Sequence, residues 1–333
     1  MNVEALLKRY AEGESNFSGE TLRGAKLRQA DLIGVDLSRC DLYGADLVFA
    51  YLSRVNLRSA NLMKADLSGA YLTQADLSVT ELSDASLHGA VLYEADLRRS
   101  KAAFASLLDA NLINADMRGI DLGGANLRGA CLRGANLRLE PRIYEGANLR
   151  RADLQNADLS EANLSGADLR LANLQGANLR SANLREADLT GANLAGACLE
   201  KAVLVETNLS ETQLQSASLK GATSERANYQ EADLTGVDLS SAGLTEAKFG
   251  KATLRRANLF QARLNKADLS RASLREANLT GAQLIEAYMA RADLRGANLT
   301  DAVLAKAEVS GANLTQVKLN NTTMPDGRVR SQD

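Results

Sequence analysis

The residue types that most often perform chemistry are scarce in this sequence. It has a single histidine, His88, and three cysteines, Cys40, Cys131 and Cys198, which form no CxxC pair. Asp and Glu are abundant but recur at regular intervals, whereas acid–base catalysis and metal binding need several such groups in one place. The sequence also lacks a glycine-rich phosphate loop and a nucleophile elbow. We therefore predict no enzymatic activity, no cofactor and no metal site.

Aromatic and basic residues instead recur twenty residues apart. Tyr51 and Tyr71 form one such pair. The recurrent arginines are Arg98, Arg118 and Arg138, and further along the chain Arg255, Arg275 and Arg295. Columns of this kind are expected where successive coils of a repeat protein stack on one another.

A five-residue unit must position these columns. Between Ala147 and Leu199 the chain repeats Ala, then Asn or Asp, then Leu, then two variable residues, with Cys198 replacing Asn in the last copy. This period fits neither the turn of an α-helix nor the alternation of a flat strand. It fits a chain that turns a corner every five residues, with Leu and Ala pointing inward and Asn or Asp outward.

An apolar residue, usually Leu, holds the central position of the unit in two frames. The first frame runs from Phe17 to Leu137 and the second from Leu149 to Met324. The unit resembles that of the pentapeptide-repeat protein family, and the two ends of the chain resemble those of its cyanobacterial members. The resemblance implies an all-β fold, a right-handed quadrilateral β-helix with four five-residue sides in each coil.

Two central positions depart from the apolar pattern. Ala102 has a small side chain, and we expect the nearby Phe104 to fill the space that it leaves. Ser224 brings a hydroxyl group into the core, where we expect a backbone partner and a locally relaxed packing.

The pattern divides the chain into five segments. In residues 1–14 the apolar residues have helical spacing after a candidate N-cap at Asn2, so we expect a short capping α-helix over the first coil. Residues 15–139 and 147–324 are the pentapeptide-repeat coils of the first and second frame. Residues 140–146 are expected to form a protruding loop, and residues 325–333 a polar C-terminal tail that begins with a Pro-Asp-Gly turn.

The interruption between the two frames is a candidate recognition loop. We expect one side of the coil to carry about two extra residues and to bulge outward at Pro141. A rigid scaffold often places binding residues on such a segment, so Arg142, Ile143 and Tyr144 are candidates for contact with a protein partner. The alternative interpretation is a tolerated insertion.

An apolar and aromatic patch is the second candidate surface. Projection on four sides places it outward on one side and the adjoining corner of the first frame. Its candidate protein-binding residues are Phe49, Tyr51, Tyr71, Tyr93 and Ile113, with Ile33, Val48 and Val91 beside them. The alternative is that these residues only stabilise the stacking of coils.

A basic region in the second frame has the same ambiguity. Its cations are Lys251, Arg255, Arg256, Arg271, Arg275, Arg291 and Arg295. Interleaved acids such as Glu276, Asp268 and Asp293 favour a solvated stripe, and an anionic partner is the alternative. Binding of single-stranded nucleic acid would need interleaved aromatic residues, which this half lacks.

Composition bounds the function that we expect. The charges balance, with 39 basic and 41 acidic residues and a net charge of -2, so nothing demands nucleic acid or an anionic membrane as a partner. The cysteine usage and the absence of a signal peptide or long apolar span favour the cytoplasm. The resemblance to cyanobacterial members implies a regulatory protein that binds a protein partner, in cell differentiation or signalling. The alternative is a DNA mimic that binds gyrase, the role of the quinolone-resistance branch, but that role relies on a strongly acidic surface.

Overall fold

The structure is a computed structural model that describes residues 1–140 and 146–331. Within these residues it contains one α-helix, α1 (Val3–Ala11), and two continuous β-strands, β1 (Thr322–Thr323) and β2 (Val329–Arg330). Most of the described chain consists of isolated bridges and turns that repeat every five residues. Each side of the coil is therefore too short to form a regular strand.

Parallel bridges join residues one coil apart. Within residues 1–172 they pair Asp31 with Tyr51 and Tyr51 with Tyr71, and within residues 173–333 they pair Asn258 with Asn278. Each bridge uses two hydrogen bonds, so that Leu52 N donates to Tyr71 O at 2.8 Å and Tyr71 N donates to Ala50 O at 2.9 Å. The period of twenty residues is thereby confirmed within residues 1–172 and within residues 173–333.

A tight turn separates consecutive sides. The N–H of the residue three positions after the central Leu donates to that Leu carbonyl, as Val55 N does to Leu52 O at 3.2 Å. The residue before the donor has a positive φ, for example 58° at Arg54 and 57° at Lys201. A positive φ at this place is that of a type II turn, which glycine adopts most easily. The corners therefore account for glycine at the second variable position.

The repeated geometry of the five-residue unit determines which side chains point into the core. Leu and Ala are almost entirely shielded from solvent, as at Leu52 and Ala50, which are both 0% exposed. The Asn or Asp side chain lies outside and accepts a hydrogen bond from the backbone N–H two residues later, as Asp76 Oδ1 does from Ser78 N at 2.8 Å. This hydrogen bond between the side chain and the backbone near the corner holds the turn in place.

Helix α1 lies against the first coil of residues 1–172. It begins after Asn2, whose Oδ1 accepts from Ala5 N at 2.8 Å, as predicted for an N-cap. Leu6 is 0% exposed, and the Arg9 guanidinium lies 5.3 Å from the ring centre of Phe17, the first central residue. Arg9 also forms an ion pair with Glu14. The helix therefore covers apolar side chains that would otherwise end the core in water.

The number of extra residues in the insertion differs from the expectation. Asp121 pairs with Asn148, twenty-seven residues later instead of twenty, so this coil carries seven extra residues. Leu137 N donates to Asn163 O, and Asn148 N donates to Ile120 O. Leu137 and Leu149 thus hold the central positions of neighbouring sides. The expectation of an additional side with about two extra residues was wrong, because the sides that precede and follow the insertion are already neighbours.

The C-terminal residues also form more than a polar tail. β1 and β2 pair antiparallel, with Thr322 opposite Arg330 and Thr323 opposite Val329. The turn between them is closed by Gly327 N donating to Met324 O at 2.9 Å and by Met324 N donating to Arg328 O at 2.8 Å. The predicted turn at this place therefore reverses the chain and returns it to the last coil as a hairpin.

Both exceptions in the core differ from expectation. Phe104 is 72% exposed and lies over Gly124, so the proposal that it fills the space beside Ala102 was wrong. A residue at the corner position points away from the core. Ser224 Oγ has the Tyr229 hydroxyl as its partner, at 2.9 Å, instead of a backbone group. The Tyr229 ring stacks on Phe249 with ring centres 4.8 Å apart, so this part of the core is well packed.

Candidate functional site

A column of exposed aromatic residues lies on one side of residues 1–172. Tyr51 and Tyr71 are neighbours in the bridge ladder, and their rings stack 5.2 Å apart with an angle of 4° between the planes. Both rings stay open to solvent, with 46% and 43% of each residue exposed. We call this side, which carries Ile33, Tyr51, Tyr71, Tyr93 and Ile113, the tyrosine face. The ladder holds the two rings in register and so forms a preorganised apolar surface.

Phe49 extends the tyrosine face at the adjoining corner. It occupies the second variable position with φ 54°, and its ring lies directly over Gly69 one coil later. A Cβ at Gly69 would clash with the Phe49 ring, so any other residue there would require the ring to move. Phe49 remains 49% exposed. Gly69 therefore allows an aromatic ring to lie flat on the corner beside the tyrosines.

Polar groups border the tyrosine face. The Tyr10 hydroxyl of α1 donates to Ile33 O at 3.3 Å, which brings the capping helix to one edge. At the other end, Gln74 Nε2 donates to the Glu94 carboxylate at 2.9 Å. Hydrogen bonding to Glu94 raises the pKa of Tyr93, so its hydroxyl stays protonated at neutral pH. An apolar centre with a polar border is typical of a surface that binds proteins.

The structure brings together five of the eight predicted binding residues. Phe49, Tyr51, Tyr71, Tyr93 and Ile113 lie on or beside the same side within residues 1–172. The three loop candidates, Arg142, Ile143 and Tyr144, lie outside the described residues. The start of their segment contacts the coil, because Arg118 Nη1 and Glu140 Oε2 form an ion pair at 2.9 Å.

The basic residues of residues 173–333 occupy one side and both of its corners. Lys251, Arg271 and Arg291 form a column at one corner, Arg255, Arg275 and Arg295 form a column on the side, and Arg256 lies at the other corner. We call these seven residues the basic face. Four of them have acidic partners: Lys251 with Glu231, Arg255 and Arg256 with Glu276, and Arg295 with Asp293. The arginines lower the pKa of both Glu276 and Asp293, so these partners are ionised at neutral pH.

Sequence reasoning missed two surface hollows. One, of about 180 Å³, lies among Arg58, Ser78, Arg98 and Arg118, with Glu140 beside it. The sequence signal for this hollow was Ser78, a small residue that interrupts the column of Arg58, Arg98 and Arg118 at a spacing of twenty residues. The other, of about 410 Å³, lies at Gly250 and is lined by polar side chains. Both are shallow and open, and Arg98 and Arg118 in the first already form ion pairs with Asp116.

The residues that could do chemistry do not converge in the described part of the chain. Within residues 1–140 and 146–331, no group of three or more His, Cys, Asp or Glu is arranged to hold a metal ion. His88 is exposed at a variable position. Cys40 is buried, and burial raises the pKa of its thiol to about 11, which makes it a poor nucleophile. Cys131, within residues 1–172, and Cys198, within residues 173–333, both occupy outward positions.

A family model described as pentapeptide repeats matches most of the chain. The matched ranges are residues 15–58, 60–99, 104–139, 147–186, 167–204, 187–223, 225–256, 252–289 and 282–321. No curated protein matches the chain. Across the described residues, no helix has both the length and the apolar character that a bilayer crossing requires.

Several solved structures are similar to the chain. HetL, a pentapeptide repeat protein involved in heterocyst differentiation regulation from the cyanobacterium Nostoc sp. strain PCC 7120, is 28% identical. The alignment covers 99% of this chain and 100% of HetL, with a TM-score of 0.25. QnrB1, a plasmid-mediated fluoroquinolone resistance protein, is 21% identical over 68% of this chain and 92% of its own, with a TM-score of 0.27. A pentapeptide repeat protein from the Arabidopsis thaliana thylakoid lumen is 30% identical over 38% of this chain and 68% of its own, with a TM-score of 0.17.

Proposed function

Because the chain belongs to the pentapeptide-repeat family, we propose that it is a non-enzymatic protein that binds a protein partner through the tyrosine face. The observation that carries the proposal is the exposed, stacked pair of Tyr51 and Tyr71. Tyrosine combines a large apolar ring with a polar tip and loses little conformational freedom on binding, so it often provides the anchors of an interface. The ladder has already fixed both rings, which lowers the entropic cost of association.

The proposal includes the remaining predictions about site, role and location. Arg142, Ile143 and Tyr144 are proposed to add contacts from the insertion. We propose a right-handed quadrilateral β-helix as the scaffold and the cytoplasm as the location. The ends of the chain, which resemble those of cyanobacterial members, extend the proposal to a regulatory role in differentiation or signalling.

Replacing the two tyrosines tests the tyrosine face. Tyr51→Ala with Tyr71→Ala removes both anchors, and we expect partner affinity to fall at least about 30-fold, which corresponds to about 2 kcal/mol. The partner is captured from a lysate of the host with the wild-type protein, and its affinity for each variant is then measured by calorimetry. The matched control is Phe104→Ala, which removes an exposed aromatic residue outside the tyrosine face and should leave the affinity unchanged.

The same variant distinguishes binding from a purely structural role. Loss of a stacked pair is expected to lower the free energy of unfolding by only about 0.2–1 kcal/mol. Thermal unfolding should therefore show a folded double variant with weakened binding. If the double variant unfolded more easily but captured its partner as well as wild type, the tyrosines would be stacking residues and the proposal would be wrong.

A further inference from the structure

The basic face stacks positive charges over three successive coils. Arg255, Arg275 and Arg295 hold equivalent positions in three successive coils, at the ladder spacing of about 4.8 Å. Like charges directly opposite one another on a β-surface are destabilising. At another corner of residues 173–333, charges of opposite sign alternate instead. Arg226 there forms an ion pair with Glu206, and Glu286 forms ion pairs with Lys266 and Lys306.

Half of the positive charge in the two columns lacks a close acidic partner. Within the described part of the chain, no carboxylate lies at ion-pair distance from Arg271, Arg275 or Arg291. Arg275 is only partly exposed, because it lies between Arg255 and Arg295 in the column. The nearest acids are already engaged, Glu276 by Arg256 at 2.7 Å and Asp293 by Arg295 at 2.6 Å. The unit thus keeps an excess of positive charge in one place.

The residues around the arginines are small and leave them accessible. Thr253 and Ser273 occupy the outward positions beside Arg255 and Arg275 on the same side. The corner above Arg291 is Gly311, where an added Cβ would lie 3.4 Å from Arg291 Cγ, so the arginine stem extends over this glycine. No aromatic ring lies among the seven residues of the basic face. The surface therefore offers planar guanidinium groups and hydroxyls, while the exposed rings of Phe260 and Tyr288 lie on the two adjoining sides.

We propose that the basic face binds an acidic α-helix of a partner protein, lying along the direction in which the coils stack. One turn of an α-helix rises about 5.4 Å, close to the coil spacing of about 4.8 Å, so one carboxylate per turn meets one arginine per coil. Over three coils the accumulated mismatch is about 1 Å, within the reach of a flexible arginine. Guanidinium groups bind carboxylates through two parallel hydrogen bonds, which suits Arg better than Lys at these positions.

The size of the basic face favours a short protein segment over nucleic acid. Its three coils span about 10 Å at the ladder spacing, which is about two helical turns. A nucleic acid would contact only a few phosphates over that length, whereas strong non-specific binding uses about 6–10 of them. The proposal concerns residues 173–333 alone and does not depend on the tyrosine face.

A synthetic helix provides the test. The probe is a fluorescein-labelled, alanine-based peptide of about 20 residues, long enough to be helical, with Glu once per turn along one side. A second peptide of the same composition has its Glu distributed around the helix. Fluorescence anisotropy with the full chain should show that the patterned peptide binds at least about tenfold more tightly, with an affinity that falls as salt is added.

Charge reversal on the protein locates the site. Arg271→Glu with Arg275→Glu should weaken binding of the patterned peptide at least about tenfold, because it replaces attraction with repulsion. The control Arg185→Glu reverses an exposed charge outside the basic face and should change the affinity little. Circular dichroism verifies that each variant is folded, and Arg275→Gln provides a milder variant if the double replacement is not.

Three results would overturn the proposal. The first is equal affinity for the two peptides, which would show that the match between helical turns and coils does not contribute to binding. The second is an affinity for the patterned peptide that Arg271→Glu with Arg275→Glu leaves unchanged. The third is tighter binding of a single-stranded or duplex oligonucleotide than of the peptide, which would identify the basic face as a nucleic-acid surface.

Discussion

At the scale of single residues, the contact between Ser224 and Tyr229 explains the only polar residue at a central position of the second frame. The two residues lie five positions apart, so their side chains enter the same coil from neighbouring sides and meet at 2.9 Å. A leucine at position 224 would occupy the space of the Tyr229 hydroxyl. Burial raises the pKa of Tyr229, so the phenol stays neutral and can share its proton with Ser224.

This pair yields a prediction about stability. Tyr229→Phe leaves the buried Ser224 hydroxyl without its partner, and we expect the free energy of unfolding to fall by about 1–2 kcal/mol. Ser224→Ala should have a similar effect, because it leaves the Tyr229 hydroxyl unpaired. Removing both groups in the double variant should cost less than the sum of the two. Urea denaturation followed by circular dichroism measures the three values, and strictly additive losses would show that the hydroxyls do not depend on each other.

The residue scale also shows which side chains the repeat pattern predicts. Burial of Leu and Ala follows from the five-residue period, because the period fixes which positions face inward. Departures from the pattern are harder to place. Ser224 lacked an obvious partner because Tyr229 belongs to the next unit along the chain, and Phe104 was assigned to the core although the turn directs its position outward.

At the scale of elements, α1 is the part of residues 1–172 whose removal would expose the end of the core. Leu6 is the buried residue of the helix, and its neighbour Leu7 is 37% exposed. Leu6→Ala should lower the free energy of unfolding by about 2–5 kcal/mol, the range for truncating a large buried aliphatic side chain. Leu7→Ala is the matched control, and we expect an effect below about 0.5 kcal/mol.

Hydrogen exchange measures where the Leu6→Ala variant is weakened. Amides of the first coil, including Phe17 N and Leu22 N, should exchange faster because the helix no longer covers them, while those of residues 173–333 should be unchanged. Faster exchange only within α1 itself would mean that the first coil is stable without its cap.

The insertion marks the limit of what the period can predict about elements. Counting from Leu137 to Leu149 locates the interruption but allows either an additional side with a small bulge or a longer loop between neighbouring sides. The hydrogen bonds from Leu137 N to Asn163 O and from Leu122 N to Asn148 O exclude the additional side, because they show that Leu137 and Leu149 lie on neighbouring sides. These bonds join residues in different coils, and a linear count contains no information about which coils are adjacent.

At the scale of the whole molecule, the total charge is nearly balanced although the charges are unevenly distributed over the surface. The sequence carries 39 basic and 41 acidic residues, yet three of the arginines on the basic face lack a close acidic partner. The columns could be predicted from residues spaced by twenty, because every side returns to the same place in the coil. The sequence could not predict whether a given cation forms an ion pair, because pairing depends on which side-chain rotamers reach a neighbouring acid.

This charge distribution predicts the outcome for DNA mimicry. A protein that takes the place of duplex DNA on gyrase must present a dense array of negative charge, because phosphates dominate the attraction between DNA and its binding proteins. Here acids such as Asp96, Asp168 and Asp293 are held by the arginine two residues later, which neutralises them at the surface. We therefore expect the purified chain neither to inhibit gyrase supercoiling nor to protect the enzyme from a fluoroquinolone.

A gel assay of plasmid supercoiling checks this, with the Arg271→Glu and Arg275→Glu variant as a more acidic comparison. Inhibition by the wild-type chain would mean that a local acidic surface is sufficient for DNA mimicry. Gyrase would then be a better-supported partner than the protein proposed to bind the tyrosine face.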